Sequence, residues 1–275
     1  MAADNKSPDA AKAGECPPLF RWAGGKRRLL GQIIPLLPPK YNHYYEPFCG
    51  GAAMFFHLRP PKTTLGDKNE ELINCYRQVQ SRPEEVITAL GELKDTKAEY
   101  YRVRAELPKN DIERAARLIY LMARSFNGLY RVNSNGEFNV PYGSKRKKKF
   151  NFERIRNVSK ALTGVKLVHG EFENTVADAK AGDLVYFDPP YTVAHGNNGF
   201  VQYNEKIFSW TDQEKLATLA EALAQRGCTV VVSNAEHSSI EGIYSAFKAC
   251  KVNRHSGIGG PPGTRRRISE FVFTK

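Results

Sequence analysis

The sequence has few cysteines, and none of them lies within four positions of another. The paired spacing typical of a zinc site is therefore absent, and no metal is expected. The chain of 275 residues is also too long and too poor in cysteine for a disulfide-dense secreted domain, so we expect reduced thiols in a cytoplasmic protein. The cysteines are Cys16, Cys49, Cys75, Cys228 and Cys250.

The N-terminal region lacks a long apolar segment. Residues 1–17 are rich in Ala, Asp and Lys, which differs from the apolar core of a signal peptide or of a membrane span. We therefore predict a disordered tail over residues 1–17. We expect neither a membrane as partner nor an obligate protein partner.

Acidic residues are outnumbered by basic ones: 29 Asp and Glu stand against 41 Lys and Arg, which gives a formal net charge of +12 at pH 7. Such an excess favours a polyanionic partner such as nucleic acid. A generically basic soluble protein has the same composition, so charge alone leaves both interpretations open. The hydrophobic content of 41% supports one large domain, or one domain with a sizeable insertion.

Short apolar runs alternate with amphipathic segments along most of the chain, a rhythm typical of a parallel sheet flanked by helices. Helical spacing without strand signals predicts an insertion over about residues 75–145. We therefore predict an α/β domain built from residues 18–74 and 146–275 and interrupted by this insertion. The predicted strands lie at 44–46, 63–65, 184–187, 229–232 and 268–273, and the clearest predicted helices at 26–37, 52–58, 112–123 and 212–225.

The strongest local signal is the tetrapeptide Asp188-Pro189-Pro190-Tyr191, which directly follows the predicted strand 184–187. Ligands of open α/β sheets bind at the carboxyl ends of strands, where this tetrapeptide would lie. A rigid turn that ends a strand is the alternative interpretation. In the functional interpretation, the Asp188 carboxylate and the Pro189 carbonyl accept hydrogen bonds from an aromatic amine. They thereby stabilise the positive charge that develops as the amine is methylated, and Tyr191 stacks on the base.

A second signal joins a glycine turn to an acidic residue further along. Residues 46–51 (EPFCGG) follow one predicted strand, and Gly66-Asp67 follows the next. An acidic residue about 20 positions beyond a glycine turn can bind a ribose diol. The sequence has neither GxGxxG nor GxxxxGK followed by Ser or Thr, so a phosphate cradle is not indicated. This favours a sulfonium nucleoside over NAD or ATP.

Seven segments occur in a fixed order: RWAGGK at 21–26, EPF at 46–48, GDKN at 66–69, NGLYR at 127–131, GEFNVPYG at 136–143, DPPY at 188–191 and GTRR at 263–266. In this order they closely resemble the Dam-type DNA adenine-N6 methyltransferases, from about Pro18 to Lys275. The resemblance implies a three-layer Rossmann-like fold with a mixed sheet. It implies S-adenosylmethionine as methyl donor, S-adenosylhomocysteine as product and double-stranded DNA as substrate. It further implies methylation of adenine N6 within GATC after the base is flipped out.

The same resemblance assigns roles to individual residues. Asp67 would hold the ribose in a cofactor site formed by Trp22, Lys26, Phe48, Asp67 and Asp188. Catalysis would fall to Asp188, Pro189 and Tyr191. The insertion would be the target-recognition region, and the residues assigned to DNA binding are Arg21, Phe126, Asn127, Leu129, Arg131, Asn133, Asn139 and Pro141.

Within that region the resemblance assigns Arg131 to a guanine in the major groove, and Leu129 and Pro141 to a thymine methyl. It places Arg21 at the first guanine. Phe126 stands where the family inserts an aromatic side chain into the duplex. Without the resemblance, Phe126 is better interpreted as a core aromatic at the end of the helix 112–123. The basic runs 145–149 and 265–267 would neutralise phosphates, or are solvated surface.

Alternatives remain open at this point. An Asp-Pro-Pro-Tyr site can serve any exocyclic amine, so methylation of cytosine N4 or of RNA is one alternative. A DNA-binding regulator that kept the fold and lost catalysis is another. None of the cysteines lies in a catalytic context, which argues against methylation of cytosine at C5 through a covalent intermediate.

Overall fold

The computed structural model describes residues 16–143, 149–192, 208–255 and 267–275. Nearly all of the predicted tail, most of the basic runs 145–149 and 265–267, and the segment 263–266 lie outside the described residues. Cys16 is buried, so packed structure extends slightly ahead of the predicted start near Pro18. All five cysteines are free.

Seven strands form one mixed sheet in the part of the chain that is described. The order across the sheet is β3-β2-β1-β4-β5-β7-β6, in which β1 to β5 are parallel and β7 runs antiparallel to both of its neighbours. The Rossmann-like α/β fold expected from the sequence is confirmed. The strands are β1 (Tyr44–Glu46), β2 (Thr63–Asp67), β3 (Lys166–His169), β4 (Leu184–Phe187), β5 (Thr229–Ala235), β6 (Lys248–His255) and β7 (Arg267–Thr274).

The described residues also contain ten α-helices. Their starts follow local capping chemistry: the Asn110 side chain accepts a hydrogen bond from the Ile112 N–H, and Ser209 and Asp212 form a reciprocal capping box. The helices are α1 (Leu30–Ile33), α2 (Ala53–Leu58), α3 (Glu70–Ser81), α4 (Pro83–Gly91), α5 (Lys97–Ala105), α6 (Asp111–Arg124), α7 (Phe152–Leu162), α8 (Phe172–Thr175), α9 (Trp210–Gln225) and α10 (Ser238–Ile243).

The predicted helix over residues 26–37 was wrong as a single element. The structure has a 3₁₀ turn at Lys26–Arg28, the short helix α1, and a second 3₁₀ turn at Ile34–Leu36. Pro35 gives the physical reason for the break at the second turn, because it has no N–H to continue the α-helical hydrogen bonds.

The centre of the sheet is apolar on both faces. All four residues of β4 are buried, and so are the three consecutive valines of β5, Val230 to Val232. An unbroken apolar run is typical of a strand covered on both sides. On one face, Val185, Phe187 and Val232 belong to a single hydrophobic cluster with residues of α8, α9 and α10. Phe48, which follows β1, packs against this cluster.

The chain divides into two compact units. The first comprises Met1–Ala23, Gly51–Arg59 and Asn74–Thr163, and the second comprises Gly24–Gly50, Pro60–Ile73 and Gly164–Lys275. The first unit is larger than the predicted insertion 75–145 because neighbouring helices pack with it. The Phe56 ring of α2 lies 6.5 Å from the Tyr76 ring, and the Gln80 amide donates to the Leu162 carbonyl at the end of α7.

Candidate active site

The candidate active site lies where the strand order of the sheet reverses. From β1 the chain moves outward to β2 and β3, and it then returns to β4 and β5 on the other side. Strands β1 and β4 are therefore parallel neighbours, with Tyr45 opposite Val185. Open α/β sheets bind ligands outside the carboxyl ends of strands at such a switch point. The segments that begin with Glu46 and Asp188 both lie at this edge.

A buried ion cluster follows β4. The Lys26 Nζ lies 2.7 Å from the Asp188 carboxylate and 3.5 Å from the Glu270 carboxylate. Lys26 and Glu270 are almost completely buried, whereas Asp188 keeps 18% of its side-chain surface exposed. The Lys26 ammonium also lies 4.8 Å from the centre of the Tyr191 ring. Three residues that the sequence analysis singled out are thus brought together, and Glu270 joins them.

Tyr191 is held by that additional carboxylate. Its hydroxyl donates to Glu270 Oε2 at 2.8 Å. Burial, followed by the negative charges of Glu270 and Asp188, raises the pKa of Tyr191 well above its usual value. The phenol therefore remains a hydrogen-bond donor across the physiological pH range.

The turn that carries Asp188 is anchored from α9. Pro189 and Pro190 have no backbone N–H, so the backbone of these two residues can be held only through their carbonyl groups. Gln213, which is fully buried, donates from Nε2 to the Pro190 carbonyl at 3.2 Å. The Gln213 carbonyl oxygen accepts in turn from Asn234 Nδ2 at 2.9 Å, inside the sheet.

Asp67 occupies the end of β2, beside the glycine turn after β1. Its two carboxylate oxygens accept hydrogen bonds from the backbone N–H groups of Gly50 and Asn69, each at 2.9 Å. Burial raises the pKa of the Asp67 carboxyl above its usual value, and these N–H donors oppose that shift. Gly66 must be glycine here, because a Cβ would lie 1.9 Å from the Thr175 hydroxyl.

An aromatic group surrounds Phe48 at the same edge of the sheet. The Phe48 ring lies 5.4 Å from those of Phe172 and Phe208 and 6.4 Å from that of Phe187, between centroids. Phe48 is only partly buried, so part of its ring is accessible beside the strand ends.

Trp22 is placed differently from the other predicted cofactor residues. It belongs to the first compact unit, whereas Lys26, Phe48, Asp67 and Asp188 belong to the second. The Trp22 ring stacks on Tyr130, with 5.0 Å between centroids and 21° between planes.

The segment that carries most of the predicted DNA-binding residues is a compact loop after α6. Two isolated antiparallel bridges, Ser125 with Tyr142 and Val132 with Phe138, hold its sides together. The Tyr100 hydroxyl donates to the Val140 carbonyl at 2.9 Å and fastens the loop to α5. We refer to residues 125–142 as the recognition loop.

Phe126 lies at the start of the recognition loop and is 51% exposed. Its alternative role as a core aromatic was therefore wrong. The Phe126 N–H donates to the Pro141 carbonyl at 2.9 Å, which holds the backbone while the ring faces outward. Asn127 next to it is exposed and adopts a left-handed backbone conformation with φ of 56°.

Arg131 is exposed and supported by its neighbour across the recognition loop. Its Nε donates to the Asn139 Oδ1 at 2.7 Å. Asn133, in contrast, uses its side chain within the loop. Its Oδ1 accepts from two backbone N–H groups, and its Nδ2 donates to Glu137 at 2.8 Å. Asn133 therefore shapes the turn from inside.

The remaining predicted DNA-binding residues lie around the same loop. Arg21 is exposed, and a Cβ added at Gly128 would lie 3.9 Å from the Arg21 Cβ. Pro141 is exposed, and Leu129 is half-buried. Ser125 stabilises the loop below them by donating from its hydroxyl to the Leu129 carbonyl at 3.1 Å.

Two residues that contact the predicted site, Glu270 and Gln213, were missed by reasoning from the sequence. Glu270 carries a signal in hindsight, since alternation in its strand places it on the same face as the buried Val272. Gln213 carries a similar signal, because it is a polar residue on the buried side of an amphipathic helix.

The residues present fit S-adenosylmethionine by their chemistry. A carboxylate has about four acceptor positions, so Asp67 can accept ribose hydroxyls in addition to its backbone donors. The partly buried Phe48 ring offers an apolar face to a nucleobase. No group of three or more His, Cys, Asp or Glu side chains is placed to hold a metal ion among the residues described.

Comparison with known proteins decides the family. The sequence profile of the D12 class N6 adenine-specific DNA methyltransferases matches residues 22–258. The chain belongs to this family. Its members use S-adenosylmethionine, and the protein is an adenine-specific DNA methyltransferase, which decides against the cytosine N4 and RNA alternatives. Within the described residues, none of the helices is both long and apolar enough to cross a membrane.

Several curated relatives match over nearly their whole length. The Type II methyltransferase M1.LlaDCHI of Lactococcus lactis subsp. cremoris is 40% identical, and the alignment covers 94% of each chain. The Type II methyltransferase M.MjaIII of Methanocaldococcus jannaschii is 37% identical, over 86% of this chain and 91% of the relative. The DNA adenine methylase of Escherichia coli K12 is 32% identical, over 92% of this chain and 93% of the relative.

Proposed function

We propose that this D12-class methyltransferase methylates adenine N6 in double-stranded GATC sites, by base flipping and direct transfer from S-adenosylmethionine. The observation that supports this most is the buried cluster after β4. There Lys26, Asp188 and Tyr191 meet at the topological switch point. Such preorganised charge at the end of a central strand suits a reaction in which an amine acquires positive charge.

The cofactor would be held at the same sheet edge. Asp67, held by two backbone N–H groups, would be the ribose ligand, and Phe48 would pack against the adenine of the cofactor. Lys26 and Asp188 would border the methyl-donating end. Trp22 is assigned only by family resemblance, and its ring also stacks on Tyr130 within the first unit.

At the reacting amine, the protein acts through hydrogen-bond acceptors. S-adenosylmethionine supplies an electrophilic methyl group, so no covalent bond between enzyme and base is needed. The Asp188 carboxylate and the Pro189 carbonyl would accept hydrogen bonds from the two N6 hydrogens. These hydrogen bonds favour lone-pair density localised on N6 over delocalisation into the ring. The same acceptors would stabilise the positive charge on N6 as the N–C bond forms and the S–C bond of the donor breaks, with S-adenosylhomocysteine as the leaving group. The surplus N6 proton would leave along its hydrogen bond to Asp188 and pass to solvent, since Asp188 is partly exposed. Tyr191 stacks on the adenine.

The target adenine must leave the helix, because N6 of a stacked base cannot reach a pocket at a sheet edge. Unstacking costs a few kcal/mol, and an apolar side chain inserted into the gap recovers part of this. Phe126 suits this role since its ring is exposed and its backbone is held. Asn127 follows it directly and is proposed to contact the opened site.

Recognition of the DNA sequence is assigned to the recognition loop. Arg131 can donate from its fork to guanine O6 and N7, the commonest specific contact in the major groove. Asn139 supports this by accepting a hydrogen bond from the Arg131 Nε, which limits the rotamers available to the guanidinium group. Leu129 and Pro141 are proposed to contact a thymine methyl, and Arg21 the first guanine. Asn133 is proposed to act by shaping the loop.

Digestion of plasmid DNA tests this proposal. The protein is expressed in a host without adenine methylation, and the plasmid is cut with one nuclease specific for methylated GATC and one blocked by methylation. We expect cleavage by the first and protection from the second. Methylated adenine with unmodified GATC sites would show that the enzyme reads another sequence.

A further inference from the structure

Lys26 lies between two carboxylates of different accessibility. Asp188, at 2.7 Å, is the partly exposed one, and Glu270, at 3.5 Å, is almost completely buried on β7. Only the first of these contacts is a close ion pair. The Lys26 ammonium is thus paired with Oδ1 of Asp188, the carboxylate that we assign to the target amine.

This arrangement sets up a competition at Asp188. An incoming amino group must share the Asp188 carboxylate with Lys26, whose ammonium lies 2.7 Å from Oδ1. We propose that Glu270 is a positioning residue that takes over Lys26 when Asp188 engages the adenine amine. The inference rests on the proposed role of Asp188 in methyl transfer.

The geometry favours movement of Lys26 over movement of Glu270. Glu270 is hydrogen-bonded to the Tyr191 hydroxyl at 2.8 Å, and its backbone is paired with Ala235 in the sheet. Lysine has a flexible four-carbon stem. A displacement of about 1 Å converts its present distance to Glu270 into that of a close, charge-assisted hydrogen bond.

The charges of the three groups also suit this exchange. One ammonium and two carboxylates carry a combined charge of −1, which complements the positive charge carried through methyl transfer to N6. With Glu270 as its partner, Lys26 remains neutralised while Asp188 faces the amine. Replacing Glu270 by Gln removes the second negative charge and leaves Asp188 as the carboxylate for Lys26.

The test is Glu270→Gln, with single-turnover methylation of duplex DNA measured at saturating S-adenosylmethionine. We expect the rate to fall by about 10- to 100-fold. The Kd for S-adenosylmethionine without DNA should stay within about threefold of the wild type. The reason is that Glu270 is proposed to affect how Asp188 engages the target amine, and not how the cofactor binds. The matched control is Glu221→Gln, a partly exposed carboxylate on α9, which should keep the wild-type rate.

A double variant separates positioning from a purely structural role. If Glu270 acts through Lys26, then Lys26→Met combined with Glu270→Gln should be no slower than Lys26→Met alone. Defects that multiply would overturn the inference, and so would a wild-type rate in Glu270→Gln. If thermal melting shows that Glu270→Gln does not fold, Glu270→Asp replaces it, and a wild-type rate in that variant also overturns the inference.

The wild-type protein in the same assay keeps the two proposals apart. If it produces no N6-methyladenine, the proposed function fails. If it produces N6-methyladenine and the Glu270 variants match it, only the positioning role of Glu270 fails.

Discussion

Gln213 donates a hydrogen bond to the carbonyl oxygen of Pro190 at 3.2 Å from inside the protein. The two residues join helix α9 to the turn that follows β4. The adjacent prolines have no N–H, so this contact through the Pro190 carbonyl helps to hold the turn that ends in Tyr191. Asn234 continues the chain of hydrogen bonds into β5.

Gln213→Leu should therefore affect both stability and rate. It leaves the Pro190 carbonyl and the Asn234 amide without this buried partner, at a cost of about 1–3 kcal/mol in the free energy of unfolding. A turn displaced by a fraction of an ångström should lower the single-turnover rate by about tenfold or more. Chemical denaturation and rapid-quench assays measure the two effects. Gln225→Leu, at an exposed position on the same helix, is the control, and equal behaviour of both variants would refute the anchoring role.

Asp188→Ala should abolish methyl transfer and leave S-adenosylmethionine binding largely intact. Losing one preorganised acceptor costs about 100- to 1,000-fold in rate. Lys26 keeps Glu270 within 3.5 Å, so the substitution does not strand the buried ammonium. Single-turnover kinetics and calorimetry of cofactor binding measure the outcome. Asp178→Ala, an exposed carboxylate of the same unit, serves as control, and a near-wild-type rate in Asp188→Ala would rule out the assignment.

Phe126→Ala should leave stability nearly unchanged, since the ring is already half in solvent. A core phenylalanine would instead cost about 3–5 kcal/mol. The expected defect is in base flipping, measured by the fluorescence of 2-aminopurine at the target position. Leu107→Ala, another exposed apolar residue, should leave that fluorescence unchanged. A normal flipping signal in Phe126→Ala would remove the insertion role.

Arg131→Ala should weaken discrimination at one base pair by about 1–3 kcal/mol. Asn139→Ala should produce a smaller loss at the same base pair, because it frees the Arg131 Nε from its fixed partner. Methylation rates on a panel of single-base variants of GATC measure both. Arg156→Ala, an exposed arginine paired with Glu84, controls for loss of charge. Equal weakening on every sequence would indicate a phosphate contact instead.

Local patterns predicted the central strands and the position of Asp188 at a strand end. The unbroken apolar run 184–187 predicts a buried strand, and the two prolines just beyond it predict where the strand ends. Both predictions for β4 therefore rest on local sequence alone. The role of Asn133 was harder to predict. Its three hydrogen bonds exist only after the recognition loop has closed.

Glu270 shows why part of the site escaped prediction. Its contact with Lys26 depends on β7 entering the sheet antiparallel, between β5 and β6. Neither residue carries a motif that specifies the other. Long-range pairing of this kind is decided by the packing of the whole sheet, and periodicity within one segment contains no information about it.

The insertion of β7 beside β5 has a consequence for how the enzyme matures. Tyr191 and Glu270 are 79 positions apart, and their contact forms only after both neighbouring strands have been arranged. Contacts of such high sequence separation are entropically costly until most of the surrounding structure exists. A partly folded chain that already contains Asp-Pro-Pro-Tyr therefore lacks the contacts of Lys26 and Tyr191 with Glu270 until β7 has joined the sheet.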